Sequence, residues 1–181
     1  MKGLVLLADY FEDTEALTTT DVLIRAGEQI TLAGVNQLQI KTQCGHSIFG
    51  DVILKNIDYK TYDYLVIPGG KAAYTILNQD TLVEEVIDYF ASNKKLIAAI
   101  CAGPHLLAKK GLFDYREFTC FPGFEQYSKF GKYRGDLGVV RDECFVTAKS
   151  MFYSIEFALN IIAFLYGENK AKQIEKSLKG E

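Results

Sequence analysis

Residues 96–104 read LIAAICAGP, five small or branched apolar residues followed by a cysteine and then Ala-Gly-Pro. An apolar run of this length with no polar alternation is the pattern of a strand covered on both faces. Gly103 and Pro104 announce a sharp turn, and HLLAKKG at 105–111 follows with helical character and a glycine stop. A cysteine inside a buried strand is ordinarily a small hydrophobe. Cys101 stands at the strand's end instead, at a strand-turn-helix junction where a side chain can face a ligand.

Working outward, strands and helices alternate. KGLVLLA (2–8) reads as a buried strand, EDTEALTTTDVLIRAG (12–27) as a helix stopped by Gly27, and QITLAG (29–34) as a second strand. Between 36 and 55, Gly45 and Gly50 break up short extended runs around LQIKT and VILKN, which predicts a small inserted hairpin. YDYLVIPGG (62–70) is the next strand, TLVEEVIDYFASN (81–93) a helix, and KKLIAAIC with its own helix comes after. From 118 to 136 aromatics and glycines crowd together without a period, and the reading is a short strand, an irregular segment and a helical turn. CFVTA (144–148) reads as the last core strand. SIEFALNIIAFLY (154–166) is a helix with only a narrow polar stripe at Glu156 and Asn160, so it needs cover on more than one side, from the core or from another subunit. Repeated β-α-β units with short connections predict an α/β fold, a flavodoxin-like doubly wound sandwich with a mostly parallel sheet and a small inserted hairpin.

Composition bounds the function. A chain of 181 residues with 49% hydrophobic content and no low-complexity stretch predicts one domain over 1–181. The formal charge of −3, with scattered lysines, gives no basic stripe for nucleic acid or an anionic membrane. MKGLVLLADYFEDTE carries a five-residue apolar run followed by acids, unlike a secretory segment, and no other run approaches the ~20 residues of a membrane span. The expectation is a cytoplasmic protein. Cys44, Cys101, Cys120 and Cys144 lack the paired spacing of zinc ribbons or dithiols, so free thiols and no metal are expected. There is no G-x-G-x-x-G after the first strand and no P-loop, and Thr18, Thr19 and Thr20 lie inside the first helix. The turns call for no nucleotide cofactor.

In open α/β sheets ligands bind outside the carboxyl ends of the strands. Three turns converge there: the acidic one after the first strand, Pro68-Gly69-Gly70, and the one at Cys101. Backbone bent at Gly69-Gly70 and Ala102-Gly103 can aim N–H groups into one crevice to hold an oxyanion. The helix N-terminus beyond Cys101 is expected to favour thiolate and acidify the thiol. Glu12 and Glu15 open the first helix three residues apart. Glu12 suits the helix dipole, whereas Glu15 can face Cys101 and titrate with it as a coupled pair.

With EDTEA, DYLVIPGG, AAICAGP and SIEFAL in that order, the chain resembles the ThiJ/PfpI superfamily, particularly its bacterial branch related to the parkinsonism-associated protein deglycase. The resemblance spans nearly the whole chain. It implies a flavodoxin-like homodimer without cofactor, with Cys101 as an oxidisable nucleophile, Glu15 as its carboxyl partner, and Gly70 and Ala102 as oxyanion donors. It also implies small carbonyl substrates: hydration of methylglyoxal and glyoxal without glutathione, or repair of glycated groups. The alternative is an oxidative-stress sensor or redox-regulated chaperone that turns nothing over.

The departures from the family pattern are specific. Ala102 replaces the histidine that follows the cysteine in the protease-like branch, which argues against peptidase chemistry. The only histidines are His46, in the inserted hairpin, and His105, one turn beyond the cysteine and able to lean back toward it. Phe121 occupies a place where some members carry histidine. Met151, Phe152 and Tyr153 replace a small glycine-rich stretch, so Phe121, Phe152 and Tyr153, with Gly69 and His105, are expected to line a bulky apolar pocket. Cys120 and Cys144 read as core thiols.

Overall fold

A computed structural model describes residues 1–181. The chain opens with β1 (Lys2–Leu7) and α1 (Asp13–Arg25), and Gly27, at φ +98°, ends that helix in the conformation a helix stop requires. β2 (Gln29–Gly34), β3 (Gln39–Lys41), β4 (Ser47–Phe49) and β5 (Val52–Ile53) follow, then β6 (Tyr64–Ile67), a short α2 (Lys71–Thr75) and α3 (Thr81–Ser92). Next come β7 (Leu96–Ile100), α4 (Pro104–Lys109), β8 (Glu117–Phe118), β9 (Lys132–Tyr133), β10 (Val139–Asp142) and β11 (Phe145–Ala148). Two helices, α5 (Ser154–Tyr166) and α6 (Glu168–Lys179), close the chain.

The main sheet has the order β10-β11-β7-β6-β1-β2-β5, parallel throughout except for the β10–β11 pair. Its five central strands follow the flavodoxin-like order, and the direction of winding reverses between β1 and β6. Every residue of β6 and β7 is buried, so both faces of the sheet are covered. α3 shows how the cover is made. Asp80 caps it by accepting from the N–H groups of Leu82 and Val83, and Val83, Val86, Ile87 and Phe90 form its buried stripe. Each such side chain contributes about 1.5–3 kcal/mol by leaving water.

Three details differ from the sequence reading. The inserted hairpin pairs β3 with β4, while Val52–Ile53 of the VILKN run joins the main sheet beside β2. Residues 139–142 form an antiparallel edge strand that the aromatic-rich region concealed. α6, whose buried residues are only Ala171 and Ile174, was too polar to stand out, yet it packs on α5 and supplies part of the cover that helix needs. α1 and the sheet pack on it as well, while Ile155, Phe164 and Tyr166 of α5 remain exposed. No helix is long and apolar enough to cross a membrane.

Candidate active site

Cys101 sits one residue beyond β7 with φ +62°, a left-handed conformation that costs a non-glycine residue about 1–3 kcal/mol. Its surroundings hold it there. Its N–H donates to the Ala148 carbonyl at 2.9 Å, its own carbonyl accepts from Phe121 N–H at 2.8 Å, and Gly103 N–H closes onto Ile100 at 2.8 Å. The backbone N–H groups of Gly70 and Ala102 both reach the thiol sulfur. Gly70, at φ +79°, also has no room for a side chain: a Cβ would lie 2.5 Å from Glu12 N and 2.6 Å from the Tyr10 carbonyl.

Glu15 comes from the first turn of α1, with its side chain turned inward and only 1% exposed. Oε2 accepts from Gly69 N–H at 2.8 Å. The carboxyl also meets the Cys101 thiol, and Oε1 is buried without an N–H or O–H donor. Burial therefore pushes Glu15 up to about 7, with Glu12 adding to the rise and the hydrogen bonds from Cys101 and Gly69 opposing it.

The thiol behaves differently from the sequence expectation. Burial first, and the Glu15 carboxylate second, push Cys101 above the ordinary thiol range, while the N–H groups of Gly70 and Ala102 pull it down. α4 has six residues and begins three positions after Cys101, so its dipole does not decide the ionisation. Proton exchange within the pair does. Once the pair has lost one proton it holds either carboxylate with thiol or carboxyl with thiolate, and the latter places an acid beside a nucleophile.

The cavity over the pair has a volume of about 390 Å³. Glu15, Gly70, Cys101, Ala102 and Phe121 line it, joined by residues the sequence reading did not assign to it: Glu12, Gln43, Tyr74, Phe124 and Ser150. Met151 from the expected bulky rim is there too. Gln43 arrives on the inserted hairpin, donating to Glu12 Oε2 and accepting from Lys71 N–H, each at 2.8 Å. Gly69 lies beneath, where an added Cβ would come within 2.7 Å of both Cys101 Cβ and Glu15 Oε2.

Phe152, Tyr153 and His105 do not line this cavity. Phe152 is 84% exposed and faces a larger hollow of about 590 Å³ between α5 and α6, which contains no thiol. The Tyr153 ring packs over Gly138, which has no side chain to obstruct it. His105 is buried behind Phe124 and Tyr127, with Nδ1 2.6 Å from the Ala102 carbonyl. Since that partner only accepts, Nδ1 carries the proton and donates, and burial lowers the imidazole's pKa. Cys120 is buried and pushed up to about 12, Cys144 is half-buried and Cys44 exposed; all four cysteines are free. Beside the cavity, Glu12, Asp13 and Cys44 bring one donor atom each within 4.8 Å of one another, a cluster invisible in their spacing. His46 Nδ1 is 3.0 Å from Asp13 Oδ1 there.

The chain and its fold have counterparts among known proteins. Residues 1–164 match the DJ-1/PfpI family. The chain belongs to that family. It is 33% identical over 178 residues to Protein dj-1beta of Drosophila melanogaster, covering 97% of this chain and 95% of the relative. It is also 33% identical over 168 residues to the glutathione-independent glyoxalase DJR-1.2 of Caenorhabditis elegans, covering 92% and 89%. The crystal structure of Drosophila DJ-1beta superposes with a TM-score of 0.91 at 32% identity, covering 98% of this chain and 96% of that one. Toxoplasma gondii DJ-1 in oxidized form gives 0.90 at 30% identity, covering 98% and 97%. The mixed α/β fold with its mostly parallel sheet is thus the fold of the DJ-1 structures.

Proposed function

We propose that this DJ-1/PfpI protein is a cofactor-independent cysteine enzyme of the glyoxalase or deglycase type, converting α-oxoaldehydes such as methylglyoxal to 2-hydroxy acids or acting on glycated groups. The observation that carries the reading is the Cys101–Glu15 pair, with a carboxyl near 7 and two backbone N–H donors at the sulfur. The glyoxalase activity in the name of the Caenorhabditis relative supports it.

In this reading the Cys101 thiolate adds to the aldehyde carbon, and the new alkoxide rests on the N–H groups of Gly70 and Ala102. Glu15 gives the alkoxide its proton. The resulting carboxylate then removes the hydrogen on that carbon and returns it to the adjacent carbonyl carbon through an enediolate. This oxidises the first carbon to a thioester and reduces the second to an alcohol, with no external oxidant. Water cleaves the thioester, Glu15 taking its proton, and leaves the hydroxy acid and the original pair. A carboxyl near 7 serves because both of its forms are populated at neutral pH.

The test is lactate formation from methylglyoxal by purified protein. Turnover should vanish in Cys101→Ser and fall steeply in Glu15→Gln; lactate made equally by Cys101→Ser refutes the assignment. A sensor reading draws support from the oxidized Toxoplasma relative. There Cys101 consumes two equivalents of peroxide, forming a sulfinate and two waters. Stoichiometric oxidation with no lactate at any substrate concentration would favour it.

A further inference from the structure

The walls of the cavity differ sharply in character. One side is apolar: Phe121, Tyr74 and Met151 are 46%, 45% and 50% exposed, and Phe124 stands between them and the interior. The wall is braced rather than loose, because Phe124 packs on Tyr74 at 5.7 Å between ring centroids and on buried His105 at 5.4 Å. The polar lining is made by Glu12 and Gln43, locked together at 2.8 Å, with Glu15 and Ser150. No lysine or arginine lines the cavity. Lys71, which follows Gly70, lays its ammonium over the Tyr10 ring, 5.5 Å from its centroid.

A three-carbon aldehyde attached to Cys101 fills little of a 390 Å³ cavity and leaves this aromatic wall wet. A flat or branched apolar group on the second carbonyl would cover it. Because the wall is already ordered, that contact demands little further loss of side-chain freedom. An anionic substituent would meet two carboxyls and no counter-charge.

We propose that the cavity selects α-oxoaldehydes whose second carbonyl bears an aryl or branched alkyl group, over methylglyoxal and over anionic analogues. The proposal rests on the glyoxalase reading for its chemistry, which is unchanged: phenylglyoxal plus water gives mandelate through the same thioester. Phe121 and Phe124 are then specificity-determining residues, and the polar wall excludes charge.

The experiment is a comparison of kcat/KM for methylglyoxal, tert-butylglyoxal, phenylglyoxal and 4-carboxyphenylglyoxal. Since one methylene in an apolar pocket is worth roughly 10–200-fold, phenylglyoxal should exceed methylglyoxal by at least about tenfold, mostly through KM. The 4-carboxy compound should fall about tenfold below phenylglyoxal. In Phe121→Ala and Phe124→Ala the phenylglyoxal-to-methylglyoxal ratio should shrink several-fold, which separates pocket selection from intrinsic aldehyde reactivity. A readout independent of turnover is protection of Cys101 from iodoacetamide, where acetophenone should act at a concentration at least about tenfold below acetone, and lose that advantage in the two variants. Turnover with a flat substrate series, or ratios untouched by both variants, overturns the proposal and leaves the glyoxalase reading standing. Selective protection by acetophenone with no α-oxoaldehyde turned over refutes the glyoxalase reading and leaves the selectivity.

Discussion

Replacing Glu15 by glutamine should stabilise the protein at pH 8 while leaving its stability at pH 4 nearly unchanged. The native carboxyl titrates near 7 against an ordinary value of 4.5. Between these values the folded state holds a proton that the unfolded chain has released, so the stability of the wild type falls as pH rises. The penalty is absent below 4.5, grows through the window, and is complete above about 7. At 1.36 kcal/mol per pH unit the full displacement amounts to about 3 kcal/mol. Glutamine keeps the shape and an acceptor for Gly69 N–H but never ionises. Urea unfolding of both proteins at half-unit steps from pH 4 to 8 isolates the effect, because titrating groups that do not touch Glu15 cancel in the difference. That difference should open toward about 3 kcal/mol in favour of the variant. Curves that stay parallel across the range would refute the idea that burial holds Glu15 neutral, and with it the acid role in the mechanism.

Gly69→Ala drives a Cβ to 2.7 Å from both members of the pair. A displacement of this kind should cut kcat/KM roughly 100-fold, while circular dichroism keeps its native form; wild-type kinetics would show that the pair tolerates rearrangement. Cys120, buried and pushed up to about 12, should resist a disulfide reagent at pH 8 until the protein is denatured, and site-resolved mass spectrometry of the native protein would expose any error. The homodimer implied by the family resemblance should appear in sedimentation velocity as a species of twice the chain mass at micromolar concentration. A monomer throughout that range refutes it.

The fold was legible where burial imposed pattern. The all-apolar strands at 64–67 and 96–100 stand out because cover on both faces demands apolar residues at every position, and the helix at 154–166 stands out because it is apolar even at Ile155, Phe164 and Tyr166, which stay exposed. α6 and β10 did not, because each contributes a single buried edge to a structure that others complete. The site divided in the same way. Cys101, Gly69 and Gly70 could be found because sharp turns need particular residues in adjacent positions. Gln43, Tyr74 and Phe124 come from a hairpin, a one-turn helix and a loop, and nothing in their local sequence records that these meet. The thiol's ionisation was misjudged because a helix dipole can be inferred from sequence order, whereas desolvation depends on what the whole chain places overhead.

The register of the sheet explains why two unrelated turns serve one sulfur. β6 and β7 run parallel with Ile67 opposite Ala99, so the residue three beyond each, Gly70 and Ala102, leaves the sheet at the same height. Both N–H groups then converge, provided each backbone bends over the strand ends, and the two left-handed residues of the site, Gly70 at φ +79° and Cys101 at φ +62°, make those bends. On the other side β1 pairs with β6 at Val5 and Val66, which brings Ala8 level with Gly69. α1 therefore starts beside the Gly69 turn, and its first inward-facing position is Glu15. The acid, the nucleophile and the two donors are thus set by strand order and register together. An insertion of one residue in either turn should abolish the site while leaving the sheet intact, because the pairing of β6 with β7 ends before both turns begin.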